Sequence, residues 1–257
     1  MRANFIITIE ARMQSDRLPG KVLMDLGCNI CSLELIISRL RASKMNHKII
    51  IATSKLKINN PIEKLAKKLK VECFRGSEQN VLERLYLSTI NKKENSIIQL
   101  TGDNPFIDID LLQYLKKKYL KIFPKIDFLT NNNLFDKKKS SPLGMKASII
   151  KKSSLKKIYL LANKKDLKEH PTLYFYREGK KKFNIKNIYV PQKWRFDKEP
   201  RLTLDTKKDL LLLKKIFKEL KYEKKFNTSF IKKILLKNPS LININRSIKQ
   251  KRPKYLS

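Results

Sequence analysis

The feature that most restricts this chain is an alternation of short apolar runs with longer amphipathic stretches. Asn4–Thr8, Lys48–Thr53, Ser96–Leu100 and Asp127–Thr130 are dense in Ile and Leu. Apolar runs of this length suit strands covered on both faces, and parallel strands of that kind need helical crossovers between them. The intervening stretches Ser32–Ala42, Pro61–Leu69, Asn80–Ile90 and Asp108–Ile122 supply the helices, with apolar residues at helical spacing and Ser32, Asn60 and Asp108 as expected N-caps. The expectation is an α/β fold with a mostly parallel central sheet flanked by helices.

Further along the pattern changes. A polar loop is expected at Asn131–Ser141, strands at Lys146–Ile150, Phe183–Tyr189 and Arg201–Leu204, and helices at Ser153–Ala162, near Glu169–Arg177 and at Lys207–Leu220. Neither a Gly/Ser-rich or Pro-rich linker nor a repeat interrupts the chain, so residues 1–238 read as one domain. From Lys207 onward there are 16 basic residues against three acidic ones, and apolar content thins beyond Pro239. Residues 239–257 are therefore expected to form a basic, flexible C-terminal tail.

The formal net charge of +36 raises nucleic acid as a partner, because clustered Lys and Arg neutralise phosphates. Against it, only 12 of the 59 basic residues are Arg, and the lysines are spread over expected helix faces such as 63–70 and 151–157. Solvated faces account for that distribution, and nucleic acid is not the expected main partner. The apolar run in Met1–Ile9 is too short for a signal peptide core or a membrane span, so no membrane insertion is expected and the protein reads as cytoplasmic. Three cysteines make no disulfide framework. Cys28 and Cys31 form a C-x-x-C without a second pair, which fits a turn better than a zinc site.

Two kinds of segment could carry chemistry. Ala11-Arg-Met-Gln-Ser-Asp-Arg-Leu-Pro-Gly-Lys21 follows the first expected strand and offers Arg12, Arg17, Lys21, the Ser15 hydroxyl and its backbone amides to a polyphosphate. Its single glycine excludes both the Walker A and the dinucleotide fingerprints, and on charge alone a solvated basic loop fits equally well. Thr101-Gly-Asp-Asn-Pro105 and Arg201-Leu-Thr-Leu-Asp205 each place an acid after an expected strand. Asp103 could cap a turn and Asp205 could start a helix, or both could hold magnesium beside substrate phosphates.

The first of these segments closely resembles the A-R-M-x-S-x-R-L-P-G-K signature of cytidylyltransferases, in the branch named after spore coat polysaccharide biosynthesis protein F. That branch is related to the acylneuraminate and 3-deoxy-manno-octulosonate cytidylyltransferases. The likeness continues through Val22-Leu23, Ile51–Ser54, Phe74–Glu78, Val81-Leu82 with Arg84, Thr101–Pro105, Glu169–Thr172 and Arg201–Thr206 in the family's order. The resemblance implies a GT-A, Rossmann-like nucleotidyltransferase fold. It also implies that Ala11, Arg12, Ser15, Arg17 and Lys21 hold the nucleotide phosphates, that Arg75, Gly76 and Ser77 lie near base and ribose, that His170 contacts the acceptor, and that Asp103 and Asp205 bind Mg²⁺. Glu10, Gln14 and Asp16 stand where the branch usually has Gln, Gly and Thr, and 143–148 lacks an arginine and two acids of the branch.

The implied reaction joins CTP and a sugar or sugar acid into a CMP-sugar with release of pyrophosphate, for surface polysaccharide biosynthesis. Arg12, Lys21, Asp103 and Asp205 would carry it. The departures at 143–148 keep a second reading in view, a nucleotide-binding relative without catalysis, and basic nucleic-acid binding is the third. A homodimer is compatible with the sequence.

Overall fold

The computed structural model describes residues 2–43, 45, 47–132 and 141–250. Its centre is a seven-stranded sheet. The strands are β1 (Phe5–Glu10), β2 (Lys48–Ser54), β3 (Glu72–Gly76), β4 (Ser96–Thr101), β5 (Phe128–Thr130), β6 (Ser148–Lys151) and β7 (Ile185–Asn187). They lie in the order β3-β2-β1-β4-β6-β5-β7, with β6 alone running against the rest.

The apolar runs form strands because helices cover both faces, so every position finds a core. Ile7, Ile9, Ile49, Ile51, Ile98 and Leu100 enter the larger core, packed by α1 (Ser32–Arg41), α4 (Ile109–Ile122), α8 (Lys207–Glu219) and α9 (Thr228–Lys237). Their neighbours Ile6, Ile50 and Ile97 point the other way, into a smaller core under α3 (Val81–Thr89), α5 (Lys152–Leu161), α6 (Lys165–Glu169) and α7 (Leu173–Tyr176). Each such Ile or Leu contributes about 1.5–3 kcal/mol through burial. The remaining helix, α2 (Asn60–Lys68), joins β2 to β3.

The capping expectations divide. Asp108 accepts from Leu111 N at 2.8 Å as an N-cap. Ser32 instead begins α1 and donates to Gly102 O at 2.6 Å, while Cys31 occupies the cap position. Asn59, not Asn60, precedes α2, and its side chain is spent elsewhere.

Three expectations are corrected. Arg201–Leu204 joins no sheet: it crosses the end of β4, where Leu204 N donates to Asp103 O at 2.8 Å and Leu202 N to Leu143 O at 3.0 Å. The helix near Glu169–Arg177 is interrupted, with His170–Thr172 between α6 and α7. The stretch from Pro239 is packed as far as Gln250. Pro239–Ile244 forms a 3-10 helix, Leu241 reaches the core, and Asn245 is 1% exposed. A few well-spaced apolar residues and one buried amide dock it despite its charge. Residues 251–257 and most of the expected 131–141 loop lie outside the described residues.

Candidate active site

β1 and β4 end level, with Glu10 paired to Thr101, while β2 passes Glu10 at Ala52 and runs on to Ser54. The loop after β1 and the turn after β4 therefore emerge side by side, and Gly102 N donates to Glu10 O at 2.8 Å. This carboxyl edge is where open α/β sheets bind ligands.

The loop is fixed from below. Ala11, Leu18 and Val22 are buried, and Gly20 N donates to Met13 O at 2.7 Å. Gly20 has φ +72°, a left-handed conformation that a Cβ would strain. Asn59 accepts from Met13 N at 2.8 Å and donates to Ser54 Oγ at 2.6 Å, tying the loop to the end of β2. What remains facing outward is polar. Arg12, Gln14, Ser15, Asp16, Arg17 and Lys21 line a cleft of about 850 Å³, with Ala11 at its floor. Glu10, Arg84, Asp103, Asp205, Lys165, Asp166, Glu169 and His170 also line it.

The two acids expected to act together do meet. Lys21 Nζ donates to Asp103 Oδ2 and to Asp205 Oδ1, each at 2.6 Å. Burial works against the Lys21 ammonium, but Asp103 and then Asp205 outweigh it and hold its pKa above the ordinary lysine value. For Asp205, burial acts to raise the pKa, whereas Lys21, Arg17 and Arg201 together depress it. Arg17 lies 3.0 Å from Asp205 Oδ2 and Arg201 2.7 Å from the same oxygen.

Other expected residues have different partners. Arg12 pairs with Glu78 at 3.0 Å. His170 lines the same cleft, and burial pushes its pKa down. Arg75, Gly76 and Ser77 are not among the lining residues. The Arg75 guanidinium is held by Glu63 at 2.5 Å and by the carbonyls of Ser54, Lys55 and Leu56, so it clamps the β2–α2 connection. Ser77 Oγ accepts from Asn80 N at 3.0 Å, at the start of α3.

Sequence reasoning gave no site role to Arg84 or Glu10. Arg84, 2% exposed, donates to Ser77 O and faces Glu10. Burial raises the Glu10 pKa to about 7, even though Gln99 donates to it at 2.7 Å and Arg84 lies near. The available signal was position: Glu10 ends the strand from which the basic loop departs.

A mostly parallel sheet whose first strand opens into a basic loop, with two carboxylates brought to the same edge, is the arrangement of a Rossmann-like nucleotidyltransferase. Comparison with known proteins narrows the class. The chain belongs to the cytidylyltransferase family, whose profile matches residues 6–248. It is 34% identical to an uncharacterized protein of Methanocaldococcus jannaschii over 95% of both chains. It is 31% identical to the spore coat polysaccharide biosynthesis protein SpsF of Bacillus subtilis, over 92% of this chain and 95% of that one. Among solved structures, a cytidylyltransferase from Leptospira borgpetersenii superposes with a TM-score of 0.84 at 30% identity, covering 96% of this chain and 100% of its own. None of the helices in the described residues is long and apolar enough to cross a membrane.

Proposed function

We propose that the chain transfers the cytidylyl group of CTP to a hydroxyl of a sugar or sugar acid, releasing pyrophosphate. The observation that carries this is the Asp103–Lys21–Asp205 cluster beside the basic loop. Family membership and the likeness to the spore coat polysaccharide protein support the nucleotide and the sugar.

The donor set suits magnesium. Asp103 and Asp205 converge on Lys21 Nζ, so the protein offers two carboxylates and would leave the rest of a coordination shell to others. Mg²⁺ in nucleotide sites is held in that way, by one or two carboxylates together with substrate phosphates and water. Asp103 and Asp205 would hold it once Lys21 Nζ, which sits 2.6 Å from each, turns to the triphosphate, and when bound it would supply charge neutralisation at the α-phosphate.

The remaining work falls to positioning. Lys21, Arg12 and Arg17 would receive the triphosphate, with Ser15 and the loop amides, and align the α-phosphorus for in-line attack. His170 and its neighbours on α6 line the same cleft and would contact the acceptor. Lys21 and Arg12 would neutralise the departing pyrophosphate.

The test is a pyrophosphate-release panel that crosses the four nucleoside triphosphates with sugar acids and sugar phosphates, with and without Mg²⁺. Metal-dependent release with CTP and one acceptor class is expected. CTP binding without release on any acceptor would favour the non-catalytic reading. That reading draws on 143–148, where Met145 and Ala147 are buried and no residue is among those lining the cleft.

A further inference from the structure

Asp103 and Asp205 are presented alike. Each anchors one carboxylate oxygen and turns the other to Lys21. For Asp103 the anchor is local, with Thr101 Oγ1 donating to Oδ1 at 2.7 Å. For Asp205 it is Arg201, whose Nη2 donates to Oδ2 at 2.7 Å. Arg17 also reaches that oxygen, at 3.0 Å, but from the exposed loop.

Arg201 is 7% exposed and must itself be fixed. Its Nε donates to Asp209 Oδ1 at 2.9 Å and its Nη1 to Gln250 Oε1. Its carbonyl accepts from Asn245 Nδ2 at 2.9 Å, and the same amide donates to Asp209 Oδ1 at 2.8 Å. The second oxygen of Asp209 accepts from the amides of Asp205 and Thr206, at 3.1 and 2.9 Å. Asp209 is 0% exposed and Asn245 1%, so both must satisfy their polar atoms within this network.

We infer that Arg201 and Asn245 are positioning residues for Asp205, which makes the segment through Gln250 part of the active site although it meets no substrate. This rests on the function proposed above. One guanidinium serves two buried carboxylates, and Asn245 supplies the neutral donor that lets Asp209 share it. Without that amide, Asp209 draws Arg201 toward itself and Asp205 Oδ2 loses its buried anchor. Side chains that hold a metal-facing carboxylate are worth about 10–100-fold in metal affinity or turnover.

The test uses full-length Asn245→Leu, which keeps the branched shape but removes both donors, and Arg201→Lys, which keeps charge but not the fork. Three quantities are read: hydrogen exchange at the Asp205 and Thr206 amides without ligand, Mn²⁺ bound in the presence of CTP by electron paramagnetic resonance, and pyrophosphate release. Both variants should exchange faster at those amides. They should bind Mn²⁺ about tenfold or more weakly and lose kcat in proportion, while CTP affinity in EDTA stays unchanged. A folded variant with wild-type Mn²⁺ affinity and kcat overturns the inference. Should Asn245→Leu fail to fold, Arg201→Lys decides on the same measurements. If the wild type releases no pyrophosphate with any acceptor, the proposed function fails by itself. The coupling is then judged on amide exchange, and unchanged exchange in both variants overturns it.

Discussion

Lys21 fills a position between two carboxylates that would otherwise repel each other. Lys21→Ala should therefore do two things. It removes a charge-assisted phosphate contact, weakening CTP binding by about 1.5–3 kcal/mol in a titration calorimeter. It also leaves Asp103 and Asp205 facing each other, so thermal unfolding in EDTA should come at a lower temperature than in wild type, and Mg²⁺ should restore more of the loss than it adds to wild type. Unchanged CTP affinity would remove the loop from the mechanism. Glu10 gives a pH signature. Its folded pKa of about 7 lies above the ordinary carboxylate value because of burial, so its contribution to stability is complete below the unfolded pKa and is lost as pH rises through 7. Urea unfolding of Glu10→Gln should show the variant gaining on wild type between about pH 5 and pH 8, with no gain further up. At this scale the gathering of residues into one cleft was most legible where charge and position coincide, as for Arg12, Arg17, Lys21, Asp103 and Asp205. Arg75 was illegible because an arginine after a strand gives no sign of which way it turns. Here three carbonyls and Glu63 face away from the cleft and win it.

Among the elements, β1, β2 and β4 were readable because burial on both faces leaves an uninterrupted apolar run. Arg201–Leu204 alternates polar and apolar residues, as a strand can, and is not a strand. Its backbone bonds go to Asp103 and Leu143 rather than to a ladder, and periodicity cannot report which partner a backbone will find. The packed stretch after Pro239 escaped for a related reason: its deepest anchor is the amide of Asn245, which carries no apolar signal. The Leu143–Met145 turn can be tested directly. Gly144 has φ +95°, and a Cβ there would lie 2.4 Å from the carbonyl carbon and oxygen of Leu202. Gly144→Ala should cost about 2 kcal/mol or more in urea unfolding, and should slow turnover more than it weakens CTP binding, because Leu202 belongs to the segment that carries Asp205. A variant as stable as wild type would show that the segment yields without strain.

Across the whole molecule, charge has a reach that no single contact shows. The chain carries +36, yet the cleft mixes Glu10, Asp16, Asp103, Asp166, Glu169 and Asp205 among its cations. Attraction for a polyanion therefore comes from the lysine-covered exterior as a summed field and not from the mouth of the site. A stopped-flow measurement should find that the association rate of CTP falls steeply as salt rises, while its dissociation rate changes little, since the ionic atmosphere screens the approach over about 8–10 Å and leaves short contacts intact. Single Lys→Gln changes on distant helices should each alter that rate only slightly. The same field also acts on the product. Released pyrophosphate is drawn back by the potential that drew the nucleotide in, so at low ionic strength recapture of the anionic product, with its escape rate little changed, would hold back the cycle.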